Sequence, residues 1–317
     1  MRKTLHLLIL ILIFSTSTCF ATTWDEPWAD RVIKEASSFV LAKVVSCDAE
    51  KGISIQVIKT LSGIELKNSV VISDFYLLNL CSSSGHEGEF HTVVTDSCYF
   101  FITQNEKGKY CIATPSTGFD YVSDGSVMAT FRHSYHQASV PVDIYEKTMT
   151  AVFNNYHNLP YDKVYIEQFV NKYLAKTPAG FSKNEINIFF LQHVALECIH
   201  HLRLQVDEKL VMPFLNDKNN FHSRVSAARA LVAFNTPFSK QALLKRISDT
   251  SENHFVQVIC VWTLGSFKPG ELKKQLTDLE KNVSDESNSF GGNIMDPRVC
   301  TNIPSVKNAL NTLISHM

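Results

Sequence analysis

The sequence predicts an α+β chain of two domains, a small β-barrel followed by an all-α helical-repeat domain. Three observations predict it. Short runs rich in β-branched and aromatic residues, with turn chemistry between them, fill the N-terminal half as far as about Val140. Past Val140-Pro141-Val142 that alternation stops and helical periodicity begins. Within the second half, Arg224 to Phe234 (RVSAARALVAF) returns thirty-three residues later as Gln257 to Phe267 (QVICVWTLGSF). Val225 then matches Val258, Ala227 matches Cys260, Leu231 matches Leu264 and Phe234 matches Phe267. A fixed self-match at such a period marks stacked helical repeats.

The chain opens on an expected secretory signal over residues 1–21. Arg2 and Lys3 are its positive start, Leu5 to Phe14 its apolar run, and Cys19-Phe20-Ala21 a small-x-small cleavage pattern. The apolar run is too short for a membrane span, which needs roughly 20 residues, and no second run of spanning length follows. The expected location is therefore outside the cytoplasm, periplasmic or secreted. With 317 residues, 45% of them hydrophobic, the chain is long enough for two cores. Its net charge of −1 shows no basic block and gives no case for a nucleic-acid partner. Of eight cysteines, Cys19 lies in the leader, so an odd number remains after cleavage. No CxxC spacing occurs, which argues against a zinc ribbon or a thioredoxin-type redox pair. Cys81 and Cys98 are the expected disulfide, closing a polar loop, while Cys198 and Cys260 sit in apolar helical patterns as small core residues.

The expected first domain spans residues 22–140. After a short amphipathic start (Trp28, Val32, Ile33), strands are predicted at 39–45, 53–58, 69–73, 99–103, 110–113, 119–122 and 127–131. Ser123-Asp124-Gly125-Ser126 is the best hairpin turn, because Gly accepts positive φ. This succession, from ASSFVLAKVVSC through ISIQVIKTLSG, SVVIS and CYFFIT to GKYCIAT, resembles the OB-like barrel of the tissue-inhibitor-of-metalloproteinase and netrin-module superfamily. The resemblance covers roughly residues 28–115 and lies in pattern rather than in an invariant motif. The inhibitors of that superfamily chelate a protease zinc through an N-terminal cysteine, whereas cleavage here leaves Thr22 first, so that mechanism does not carry over.

The second expected domain spans 141–317. Helices are predicted at 144–156, 161–174 with Asp162 as cap, and 182–206 with Ser182 and Glu185 as a capping box. Further helices cover 210–215, 224–234, 240–247, 256–267 and 304–317. The stretch from about 207 to 280 resembles the HEAT family of helical repeats, including AARAL and the Asp249 turn. Such an array presents an extended surface to a protein or peptide.

Candidate chemistry is sparse. His193, Glu197 and His200 fall within roughly 60° on one helical wheel, and imidazoles with a carboxylate are zinc-type ligands. Leu191, Val194, Ala195, Cys198, Ile199 and Leu202 take the opposite arc, which predicts a solvated or partner-facing face for the three, with a metal site as the alternative. Arg132, His133 and His136 follow the last strand as a packing segment with binding potential. Arg224 and Arg229 are further binding candidates, but they lie roughly 140° apart and do not form one basic patch. No nucleophile elbow, phosphate loop or dinucleotide fingerprint is present, and no cofactor is implied. The expected function is that of an exported, non-enzymatic binding or scaffold protein with a protein or peptide partner. Its rivals are a metal-binding protein or metal-dependent hydrolase and a protease-inhibitor-like module.

Overall fold

The computed structural model describes residues 24–25, 27–48, 51–73, 78–80, 88–90, 97–114, 117–130, 137–286, 299–300 and 303–317. The architecture is α+β. In chain order come β1 (Trp24–Asp25), α1 (Ala29–Glu35), β2 (Ser38–Asp48), β3 (Gly52–Gly63), β4 (Ser69–Ile72), β5 (Leu78–Leu80) and β6 (Gly88–Phe90). They are followed by β7 (Ser97–Gln104), β8 (Tyr110–Cys111), β9 (Phe119–Ser123), β10 (Ser126–Thr130) and β11 (Gln137–Pro141). Seven strands pair antiparallel in the order β11-β10-β9-β7-β2-β3-β4, and β8 joins as an eighth on β7.

Local chemistry explains the turns. Between β9 and β10, Asp124 and Gly125 have φ of 49° and 76°. Two positive φ values are what a two-residue hairpin matching strand twist needs. Between β2 and β3, Gly52 sits at φ 89°, and a Cβ there would stand 2.0 Å from the Ile72 carbonyl oxygen, so only glycine fits. Pairing of β2 with β3 is interrupted at Phe39/Val40, Leu41/Ala42 and Val44/Ser46, and such bulges increase twist and bend the strands.

The strand pattern allows a closed or a half-closed barrel, and the sheet is not closed. Among the described residues the strand path ends at β11 on one side and β4 on the other without joining. The bend brings Ser73, just past β4, onto β8, where its N–H and Oγ donate to the Tyr110 carbonyl at 2.9 and 3.0 Å. Inside the curl lies one apolar core, with Val40, Ile53, Ile55, Ile72, Phe100 and Ile102 buried. Alternate residues on the same strands face the other way. Phe39, Tyr99 and Phe101 join a second core that runs unbroken through the helices. Strand β7 is buried on both faces, which is why YFFIT reads as a continuous apolar run rather than an alternation.

At Pro141 the chain turns directly from β11 into α2 (Val142–Tyr156). Then follow α3 (Lys163–Leu174), α4 (Ile186–Leu202), α5 (Met212–Leu215), α6 (Phe221–Ala230), α7 (Pro237–Ser248), α8 (His254–Gly265) and α9 (Lys273–Glu280). The described chain closes with β12 (Val299–Cys300), parallel to β1, and α10 (Val306–Ser315). Asp162 caps α3, accepting from the Tyr165 N–H at 2.9 Å. The helix expected over 182–206 is shorter at both ends. Ser182 Oγ instead donates to Glu185 at 2.6 Å in the turn ahead of α4, and Arg203 ends that helix in the left-handed conformation, φ 51°. Pro237 begins α7 rather than merely breaking its predecessor, because its missing N–H costs nothing in a first turn.

The helices form two rows. Helices α4, α6, α8 and α10 lie side by side, and α3, α5, α7 and α9 each pack on the next helix in sequence. The thirty-three-residue offset reappears in hydrogen bonding. Asn220 and Asn253 cap α6 and α8 identically, each accepting from the N–H two residues on at 2.9 Å. Arg224 and Gln257 both reach back to the carbonyls that end the preceding outer helix. Among the described residues no helix is long and apolar enough to cross a membrane.

Candidate functional site

A buried polar network crosses the seam where α1 and α2 meet the inner row of helices. Glu197 on α4 is 1% exposed, yet it carries a charge because Arg229 on α6 answers it. Arg229 Nη1 donates to both carboxylate oxygens, at 2.8 and 2.9 Å. Burial alone would push the Glu197 carboxyl up. The Arg229 charge, the His201 contact and the His193 charge together outweigh burial and hold it well below the usual carboxylate range. His201 Nε2 lies 3.4 Å from Glu197 Oε2, while Tyr156 Oη donates to His201 Nδ1 at 2.9 Å. Burial, followed by the nearby Asp30 charge, raises the Tyr156 pKa, so its phenol keeps the proton it donates. His193 Nδ1 bonds Ser226 Oγ at 2.8 Å.

The expected solvated face of α4 is corrected by this geometry. His193 and Glu197 are 4% and 1% exposed, and His200 is half-buried. A single-helix wheel misleads here because α4 is enclosed: α3 packs on one side, α6 on another, and the sheet edge β11 on a third. The structure brings Glu197 and His200 to Arg229, while His193 bonds Ser226, so the three do not meet around a common point. Among the described residues, no group of three or more His, Cys, Asp or Glu side chains stands close enough to hold a metal ion.

Above the network opens a cleft of about 270 Å³, lined by Trp28, Asp30, His200, Arg203, Arg229 and Trp262 among others. Trp28 is fixed from two directions. The Arg229 guanidinium carbon lies 5.3 Å from its ring centroid, inside cation–π range, and Trp262 meets it edge to face with centroids 6.0 Å apart. Trp262 is 39% exposed, an unusual placement for the largest apolar side chain, and forms the open wall. His200 Nδ1 lies 3.1 Å from the Arg229 carbonyl and donates to it, leaving Nε2 as an acceptor. Burial, with the Arg229 charge close by, pushes this imidazole well below its ordinary pKa, so it is neutral near pH 7. Both side-chain hydrogen bonds of Arg229 leave from Nη1. Asp30 and Arg203 make no side-chain hydrogen bond or ion pair among the described residues.

A second groove, of about 460 Å³, lies between β3 and the helices α2 and α3. Its charges are already satisfied. Lys59 pairs with Glu146 at 2.7 Å, Tyr99 donates to the same carboxylate at 3.0 Å, and Lys147 sits 4.6 Å over the Tyr165 ring. Size favours this groove, but open polar groups favour the smaller cleft.

The remaining candidates are distributed as follows. Arg224 lies five residues before Arg229 on α6, on a different face, and bonds Glu252 at 2.9 Å, so the two arginines serve different carboxylates. Arg132, His133 and His136 lie outside the described residues. Cys98 is buried in β7, and Cys81, its expected disulfide partner, lies outside the described residues. Cys198 and Cys260 are buried core thiols whose pKa values burial raises, as inert packing residues require. The residues that sequence reasoning passed over are Trp28, Asp30, Tyr156, Arg203 and Trp262. One signal was present: the chain has only three tryptophans, and two of them meet here.

No protein-family model matches the chain, and no curated protein or solved structure matches it either.

Proposed function

We propose that this chain is an exported binding protein that holds a peptide in the cleft between Trp28 and Trp262. The observation that carries the reading is the exposed Trp262 set against a Trp28 locked in place by Arg229. Rigid indoles offer large contact area at little entropic cost, and Trp and Arg are the residues that most often dominate binding energies. The network beneath supplies preorganisation: Glu197 orients Arg229, and Arg229 orients Trp28. The side chains that line the cleft include recognition groups of several kinds, among them guanidiniums, indoles, the Asp30 carboxylate and a neutral imidazole. Export rests on the leader-like residues 1–21.

The finer architecture belongs to the same reading. We take the curled sheet, bridged from Ser73 to Tyr110, as an OB-like half-barrel. We take the two helical rows with their thirty-three-residue register as a HEAT-like array. On that reading the cleft is formed where the barrel's leading helix α1 docks against the array, so both halves build the site.

Passing a mixture of short random peptides over the immobilised mature protein, with retained species identified by mass spectrometry, tests the function. Retention is expected for the native protein and is expected to vanish for Trp262→Ala, whose side chain is not part of the core. Equal retention by both proteins, or none by either, would overturn the reading.

A further inference from the structure

We infer that the cleft is built for a zwitterion, the joined α-ammonium and α-carboxylate chemistry of a free amino acid or a very short peptide. Arg203 reads the carboxylate and Asp30 reads the ammonium. The inference deepens the peptide reading above and rests on it.

Charge accounting leads there. Arg229 and Glu197 neutralise each other within the network, so the field in the cleft is set by Asp30 and Arg203, which form no ion pair among the described residues. Arg203 and Asp30 line the same space, carry opposite signs, and feel each other's charge without closing to ion-pair distance, which leaves room for a ligand between them. An anion alone would leave Asp30 unanswered, and a cation alone would leave Arg203 unanswered. A ligand with both charges answers both at once. The volume agrees, since about 270 Å³ lies just below the range of roughly 300–1,000 Å³ for small-molecule sites, enough for an amino acid or the charged end of a short peptide. Trp262, Ile259 and Val232 offer an apolar wall to the side chain, and an ammonium beside Trp28 or Trp262 gains cation–π attraction.

The test uses the mature full-length chain and follows Trp fluorescence and calorimetric heat on titration with unmodified apolar di- and tripeptides. The same peptides are titrated after N-acetylation and after C-amidation, and free leucine is titrated alongside. Each blocking step is expected to weaken binding by about tenfold or more, the worth of one charge-assisted contact. The Arg203→Asn variant is expected to bind free and amidated peptides equally, and Asp30→Asn to bind free and acetylated peptides equally. Tighter binding of leucine than of the peptides assigns the site to free amino acids; the reverse assigns it to short peptides. If blocked and unblocked peptides bind alike, the zwitterion inference is overturned while peptide binding stands. If no peptide of any kind binds, both fail.

Discussion

Arg229 on α6 grips Glu197 on α4 through one nitrogen, Nη1, with 2.8 and 2.9 Å to the two carboxylate oxygens. Both side chains are nearly inaccessible, at 6% and 1% exposure. Desolvating such a pair is costly, and its net contribution to stability is small, but removing one partner leaves the other charged and unanswered. We expect Arg229→Met to cost about 3–5 kcal/mol in urea unfolding. The double variant Arg229→Met/Glu197→Leu should recover much of that loss. A double variant as unstable as the sum of the two singles would show that the pair does not couple.

The same network sets the acid response. Glu197 has its carboxyl pKa lowered in the folded state, so its contribution is fully present above the unfolded value of about 4.3 and is lost as pH falls below it. His200 has its imidazole pKa lowered as well. The unfolded chain therefore takes up that proton first, and stability begins to fall as pH drops through about 6.5. Both groups act in the same direction, with two successive windows. Midpoints of urea unfolding between pH 8 and pH 3 should fall in both, and His200→Gln should remove the upper one. A stability curve rising on acidification between pH 7 and pH 5 would contradict the assignment.

Most strands of the sheet and most helices were legible because their apolar residues form short runs, alternate, or recur at period 3.6, but β11 (Gln137–Pro141) was not among the expected strands. The thirty-three-residue match foreshadowed caps and tethers that repeat in the same register. The site was less legible, for a definite reason. The helical wheel places His193 and Glu197 opposite the apolar arc, but a wheel assumes one dry side, and α4 is covered on several. Asp30 and Trp28 precede Arg203, Arg229 and Trp262 by roughly 170 residues or more, so no local pattern could join them. Whether the barrel closes was not legible, because turn chemistry and alternation specify neighbouring pairings, while closure depends on how far three bulges bend β2 and β3.

One bend has a sharp test. A side chain at position 52 would face both a positive φ and the Ile72 carbonyl oxygen at 2.0 Å from its Cβ. Gly52→Ala is expected to cost more than the usual left-handed penalty of about 1–2 kcal/mol, because the β2–β3 turn must move away from β4. Gly125 has similar backbone geometry with open space around it, so Gly125→Ala should cost only that penalty. Equal losses of thermal stability in the two variants would show that the contact with Ile72 does not constrain the turn.

The matching caps should behave as a matched pair. Asn220 and Asn253 each accept one N–H at the start of an inner helix, both at 2.9 Å. Replacing either by Ala is expected to cost about 1 kcal/mol, with similar shifts in unfolding midpoint. A large loss at one and none at the other would mean that the two units do not share a common construction.

Turn endings allow stability to be separated from binding. Arg203 and Lys268 both hold left-handed backbone at φ 51° where inner helices end, and Asn235 fills the equivalent turn between them. Asparagine tolerates that conformation because its short side chain bonds the local backbone. Arg203→Asn and Lys268→Asn should therefore each stabilise the fold, by part of the left-handed penalty of about 1–2 kcal/mol. Lys268 does not line the cleft, so its variant should bind peptide as the native chain does, whereas Arg203→Asn should be the more stable protein and the poorer binder. Thermal unfolding and titration on the same preparations check both halves, and a Lys268→Asn protein that lost binding would show that the turn, rather than the Arg203 charge, controls the site.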